Sequence, residues 1–219
     1  MSEAPGSPHA PTFDDTFKAA LTELFRWRRD VRRFRSDPLP AGELEELVAH
    51  ATLAPSVGHS QPWRFVSVET AALRQAVIAD FTACNSAALA SYQGEQAALY
   101  ASLKLSGLRE APVHLAVFCD METDVGHGLG RRTMPETLTY SVVGAIQNLA
   151  LAARARGIGV GWVSILDPDQ IARLLDVPAA WRLVAYLCIG YPEEEHPDPE
   201  LARLGWQDRL CHTGILHRR

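Results

Sequence analysis

Past residue 12 the apolar positions fall into helical and strand-like periods that lay out most of the chain. Phe17, Leu21, Leu24, Phe25 and Arg28 recur at helical spacing behind Asp14 or Asp15 as cap, predicting a first helix. Gly42 to Leu53 repeats that spacing through Leu44, Leu47, Val48 and Ala51 and stops before Pro55. Ala54 to Pro62 is a loop held by two prolines, and Trp63 to Val68 alternates apolar and polar residues as a strand does. Ala71 to Tyr100 is helical, alanine-rich and weakly amphipathic, which predicts helices that cover the core rather than centre it. Val113 to Cys119 is a continuous apolar run suited to a buried strand.

Asp120 to Arg132 carries acidic residues, three glycines and His127, the composition of a loop or lid. Thr133 and Glu136 are spaced as a capping box, so a helix is expected from Thr133 to near Gly157. Leu138, Val142, Ala145, Leu149 and Ala152 form one face of it, while Val143, Ile146 and Leu151 make other faces apolar; such a helix lies inside a protein or between subunits. Val160 to Ile165 and Leu183 to Ile189 predict two more buried strands, flanking a short helix after Asp167-Pro168. The order of elements is that of an α+β fold, a small sheet surrounded by many helices.

With 219 residues, 47% hydrophobic and 21% charged, the chain suits one domain with a full core, expected over 13–219 after a disordered tail at 1–12. A net charge of -5 argues against nucleic acid or an anionic membrane as partner. Four dispersed cysteines form no C-x-x-C pair, and neither a secretory signal nor an apolar span is legible, so the expected setting is reducing and cytoplasmic. Gly157 to Gly161 and Gly126 to Gly130 read Gly-x-Gly-x-Gly rather than the dinucleotide fingerprint; the first is better read as a helix stop that lets the next strand approach something closely. Gly-x-Ser-x-Gly, a phosphate-binding Walker loop and His-Glu-x-x-His are all absent, and no metal is expected.

Against this acidic background the run Arg26 to Arg35 concentrates guanidinium groups. Arginine forks bind phosphate in a bidentate way. Arg28 and Arg32, four apart, share a face if the first helix continues through them. For an arbitrary arginine run, a solvated basic face or ion pairs with glutamates is the commoner outcome. Asp30 is then a counter-ion to its neighbours; alternatively it stands beside a bound phosphate ester as a proton acceptor. Spacing alone leaves both readings open.

An ordered set of motifs resembles the flavin-dependent nitroreductase superfamily: Arg28-Arg29-Asp30-Val31-Arg32, Pro55-Ser56, Gln61-Pro62-Trp63, Ala145 to Leu149, Gly159-Val160-Gly161-Trp162, and Gly190-Tyr191-Pro192 followed by Arg209. Ala54 to Gly58, Glu110-Ala111-Pro112, Thr133 to Glu136 and Trp162 to Pro168 are similar to the branch of that superfamily that consumes its own reduced flavin. The resemblance implies a nitroreductase-like fold with a small, mixed, mostly antiparallel sheet, a lid over about 85–105 and 121–132, and a homodimer with FMN at the interface. It also implies that FMNH2 is fragmented with O2 to 5,6-dimethylbenzimidazole, the lower-ligand base of cobalamin, and erythrose 4-phosphate. Arg28, Arg29, Arg32 and Arg209 would hold the ribityl phosphate. Ser56 would reach the flavin from the partner subunit, with Gln61 and Trp63 fixing its loop, and Val163, Ser164 and Ile165 would lie along the ring. Asp30 and Ser164 correspond to the two chemically important residues. His59 stands where many nitroreductases have asparagine.

Such chemistry requires a site closed to water, because reduced flavin otherwise yields hydrogen peroxide. A separate reductase would supply FMNH2. The competing expectations are an NAD(P)H-dependent nitroreductase or dehalogenase that retains FMN, and a flavin carrier without turnover.

Overall fold

The computed structural model describes residues 10–210 and 215–218; residues 1–9, and with them most of the expected tail, lie outside the described residues. Helix α1 (Asp15–Trp27) begins where Asp14 accepts the Phe17 N–H at 2.8 Å. No residue of α1 is buried, and Phe17 and Phe25 are 44% and 51% exposed. Leu21, Leu24 and Trp27 are half-buried, so among the described residues its apolar face is only partly covered.

The helix does not run on through the arginine cluster. Arg28 turns extended at ψ 117°, and the chain beyond it lies along the sheet: Val31 N–H donates to Val160 O at 3.1 Å and Arg35 N–H to Tyr191 O at 2.8 Å. Phe34 is thereby driven into the interior, 1% exposed. The expectation that Arg28 and Arg32 share a helical face is thus corrected. Strand-like pairing that buries a phenylalanine outweighs the extra helical turn.

After α2 (Glu43–Ala51) and a single 3-10 turn at Val57–His59 come β1 (Trp63–Ser67), α3 (Ala71–Leu89), α4 (Gly94–Ser102) and β2 (Val113–Asp120). Then follow α5 (Thr137–Ala155), β3 (Gly159–Val163), α6 (Pro168–Leu174), β4 (Trp181–Gly190) and α7 (Glu200–Arg203). The sheet has the order β1-β2-β4-β3 with every strand pair antiparallel; the parallel contact is the isolated bridge Asp30–Val160.

Alternation along the strands divides the core in two. Leu115, Val117, Leu187 and Ile189 face α5 and α2, meeting Leu47, Val142 and Leu149. Ala116, Phe118, Tyr186 and Val163 face the other way, toward Phe34, Val77 of α3 and Ile171 of α6.

Two boundaries differ from those expected. Helix α5 starts at Thr137, and the Thr133/Glu136 capping box does not form: the Thr133 and Met134 N–H groups bond back to Gly130 O as turns. Pro135 explains this, since a residue preceding proline, here Met134, is disfavoured in helical conformation. Strand β3 ends at Val163, so Ser164 and Ile165 lie just past its end rather than within it.

Candidate functional site

The site is built on the approach of residues 28–32 to β3. A Cβ on Gly161 would lie 2.0 Å from the Val31 carbonyl oxygen, and one on Gly159 would lie 2.8 Å from the Val31 side chain. Both glycines are what lets the segment lie flat on the strand. The close approach expected of Gly157 to Gly161 is therefore real, and its counterpart is the arginine cluster.

This contact places Asp30. Its Oδ1 accepts the Trp162 backbone N–H at 2.8 Å and its Oδ2 accepts Arg32 Nε at 3.1 Å. Both oxygens thus meet donors only, which suits a carboxylate that accepts rather than donates a proton.

Alternation on β3 sends Val160 and Trp162 to the same side as the following Ser164. They meet Ile146, Gln147 and Ala150 of α5 around a cavity of about 620 Å3 that Arg28 and Asp30 also line. The Ser164 hydroxyl makes no hydrogen bond among the described residues, and Ser164 is exposed to the cavity. Asp30 and Ser164, 134 positions apart in sequence, therefore share one space.

A smaller cavity of about 50 Å3 adjoins it at Arg28 and Asp30 and extends past Arg29. Here the arginines divide. Arg26 pairs with Glu23 at 2.8 Å, Arg33 with Glu200 at 2.5 Å and Arg35 with Asp37 at 2.7 Å. For these the ion-pair reading of the cluster holds. Arg28 forms no ion pair among the described residues, and Arg29 Nε is buried without a hydrogen-bond partner. Burial, followed by the guanidiniums of Arg28 and Arg209, holds Arg29 below the usual arginine value, with Asp198 opposing. Three like charges around an orphaned donor fit a phosphate.

Other residues named from the sequence lie elsewhere. Val163 is buried on the opposite face of the sheet, so its side chain does not line the cavity, and neither does Ile165. Trp63 is 7% exposed within the core, paired with Cys119. Ser56 Oγ accepts the Gln61 N–H at 3.0 Å, and Gln61 Nε2 lies 3.3 Å from His59 Nε2, so these side chains organise their own loop. None of Ser56, Gln61 and Trp63 lines either cavity. The Met121–Arg132 segment packs on this loop: a Cβ on Gly126 would lie 2.4 Å from Gly58 O.

Trp162, Gln147 and Val184 line the cavity without having been expected there. The signal for Trp162 was available, since it lies two residues from Ser164 on the same strand face. Gln147 and Ala150 required knowledge of which side of α5 the sheet covers.

Against known proteins, the pattern of the nitroreductase family matches residues 25–191. The chain belongs to the nitroreductase family. Within this family it is 62% identical over 205 residues to a 5,6-dimethylbenzimidazole synthase of Rhodospirillum rubrum, covering 94% of this chain and 97% of that one. A protein of the same name from Rhodobacter capsulatus is 50% identical, covering 90% and 96%. Among solved nitroreductase-fold structures, iodotyrosine deiodinase bound to FMN and 3-iodo-L-tyrosine matches with TM-score 0.66 and 27% identity, over 81% of this chain and 92% of that one. A BluB-like flavoprotein from Clostridium difficile 630 matches with TM-score 0.68 and 19% identity over 91% and 98%, a likeness of fold.

Proposed function

We propose that the protein makes 5,6-dimethylbenzimidazole by O2-dependent fragmentation of FMNH2, releasing erythrose 4-phosphate, as a homodimer supplied with FMNH2 by a separate reductase. The observation that carries the reading is the convergence of Asp30 and Ser164 on one cavity, which adjoins at Arg28 a smaller one lined by Arg29, whose buried Nε has no partner. The relatives of 62% and 50% identity, named for 5,6-dimethylbenzimidazole synthesis, support this reading.

Arg28, Arg29 and Arg209 would hold the flavin phosphate; Arg29 supplies a buried N–H that no protein group satisfies. FMN, when bound, supplies the redox-active ring and the atoms that become the product. Asp30 takes up a proton at a carboxylate oxygen, its plane set by the Trp162 amide and Arg32. Ser164 donates from, or accepts at, a hydroxyl that the protein leaves unbonded. Val160 and Ile146 wall the cavity with apolar surface, and such walls exclude the water that would divert reduced flavin to hydrogen peroxide.

A second copy of the chain completes the site in this reading. Phe17 and Phe25 of α1, together with Tyr140 and Val143 of α5, form the apolar surface it would cover. Ser56, Gln61 and the segments 85–105 and 121–132 line neither cavity of their own chain and would act on the partner's flavin. Among the described residues no helix is long and apolar enough to cross a membrane, and we place the reaction in the cytoplasm, where buried free thiols such as Cys119 and Cys188 persist.

The reading is tested by supplying chemically reduced FMN in air and identifying the products by liquid chromatography with mass detection. Dimethylbenzimidazole is expected. Formation of FMN and hydrogen peroxide alone contradicts the reading, and rapid bleaching of bound FMN by NADPH would favour a flavin-retaining reductase.

A further inference from the structure

The contacts of Arg32 differ from those of the arginines beside it. Its side chain is only 12% exposed. Nε donates to Asp30 Oδ2 at 3.1 Å, and Nη1 donates to the carbonyl oxygen of Lys104 at 3.2 Å. Lys104 lies two residues past the end of α4 and is itself held by Glu110 at 2.6 Å. Arg32 does not line the larger cavity. Where it borders the smaller one, two of its three nitrogens are already engaged.

We propose that Arg32 is a positioning residue for Asp30 rather than a phosphate ligand, and that it fastens the segment following α4 to that carboxylate. The inference rests on the reading of Asp30 as the proton acceptor. The terminal torsion of aspartate is broad, so a single bond to the Trp162 amide leaves the carboxylate plane free to turn. The second bond, from Arg32 to the other oxygen, removes that freedom and aims the remaining lone pairs. Because the same guanidinium grips Lys104 O, the carboxylate is fully held only while residues 103–106 are in place. That segment is the end of one of the two covers expected from sequence, so docking of the cover and alignment of the acceptor become one event. A lysine at position 32 offers a compact point charge and cannot serve two acceptors in fork geometry.

Four readouts on Arg32→Gln and Arg32→Lys test this, with Arg29→Gln as the phosphate-site reference. Titration of flavin-free protein with oxidised FMN is expected to give affinities within about threefold of wild type for both position-32 variants, against a loss of about tenfold or more for Arg29→Gln. The Trp162 amide proton, measured by NMR without flavin, is expected to move upfield in Arg32→Gln as its carboxylate acceptor loosens, and hydrogen exchange at residues 103–106 is expected to quicken. With FMNH2 and O2, product yield is expected to fall about tenfold or more in Arg32→Gln and to recover partly in Arg32→Lys. An FMN affinity of Arg32→Lys reduced as far as that of Arg29→Gln would overturn the proposal, as would an unmoved Trp162 amide or an unchanged yield. Should wild type form no dimethylbenzimidazole, the proposed function falls, while the affinity and amide readouts still decide the role of Arg32.

Discussion

Asp30 accepts the backbone N–H of Trp162 at 2.8 Å, and this bond, with that of the Val31 N–H to Val160 O, joins the arginine-rich segment to the strand that leads to Ser164. The bond depends on backbone rather than on a side-chain partner, so its geometry follows from the pairing of residues 30–31 with β3. A carboxylate placed in this way shares the rigidity of the sheet.

Replacing Asp30 by asparagine keeps an acceptor for the Trp162 amide while removing the proton-accepting charge. FMN binding is expected to stay within about threefold of wild type and product formation to fall by about two orders of magnitude or more. Fluorescence titration and product analysis on one preparation check both.

Arg29→Ala is expected to weaken FMN binding about tenfold or more while leaving riboflavin binding nearly unchanged, because the lost contact is to the phosphate. Inorganic phosphate should compete with FMN in wild type and compete less well in the variant. Equal losses for FMN and riboflavin would place Arg29 away from the phosphate.

Gly161→Ala puts a methyl group 2.0 Å from the Val31 carbonyl oxygen, backbone against backbone, where neither side can yield cheaply. The expected cost is about 3 kcal/mol or more, together with weakened flavin binding as residues 28–32 are pushed off β3. Urea denaturation measures the first and FMN titration the second. Gly144→Ala on α5 is a control, since a Cβ there meets nothing within 4 Å.

His114 is 1% exposed, with Nδ1 3.0 Å from the Tyr186 hydroxyl, and burial, followed by the Arg74 charge, pushes its pKa down to about 4. The folded state therefore resists protonation that the unfolded chain accepts near pH 6.5. The unfolded state binds the extra proton between these values, so this contribution is present above pH 6.5 and is lost as pH falls toward 4, about 3 kcal/mol in all. His114→Phe removes that contribution. Between pH 7 and pH 4 wild type is expected to lose about 3 kcal/mol more stability than the variant in urea titrations; equal slopes would contradict the assignment.

The fold was legible where local pattern and tertiary packing agree. Val113 to Cys119, apolar but for His114, and Leu183 to Ile189 are largely buried, and both are strands close to the expected limits. Local rules failed where a longer-range interaction overrode them. The arginine run reads as helix by spacing, yet pairing with Val160 and burial of Phe34 draw it extended. Thr133 and Glu136 have capping-box spacing, yet Pro135 disrupts the turn between them. In the site, Asp30, Ser164 and Arg29 could be named from motifs, but the division of the arginines could not. Which guanidinium is already engaged depends on Glu200, 167 positions from Arg33, and on Lys104 O, 72 positions from Arg32.

In the proposed function one cavity, through Asp30 and Ser164, turns reduced flavin into a benzimidazole. Loading the protein anaerobically with a single equivalent of FMNH2, mixing with oxygenated buffer and weighing dimethylbenzimidazole against FMN and hydrogen peroxide tests it most directly. Wild type is expected to convert most of the flavin to dimethylbenzimidazole, while Asp30→Asn and Ser164→Ala return FMN and peroxide. Equal benzimidazole from all three proteins, or none from wild type, would contradict it.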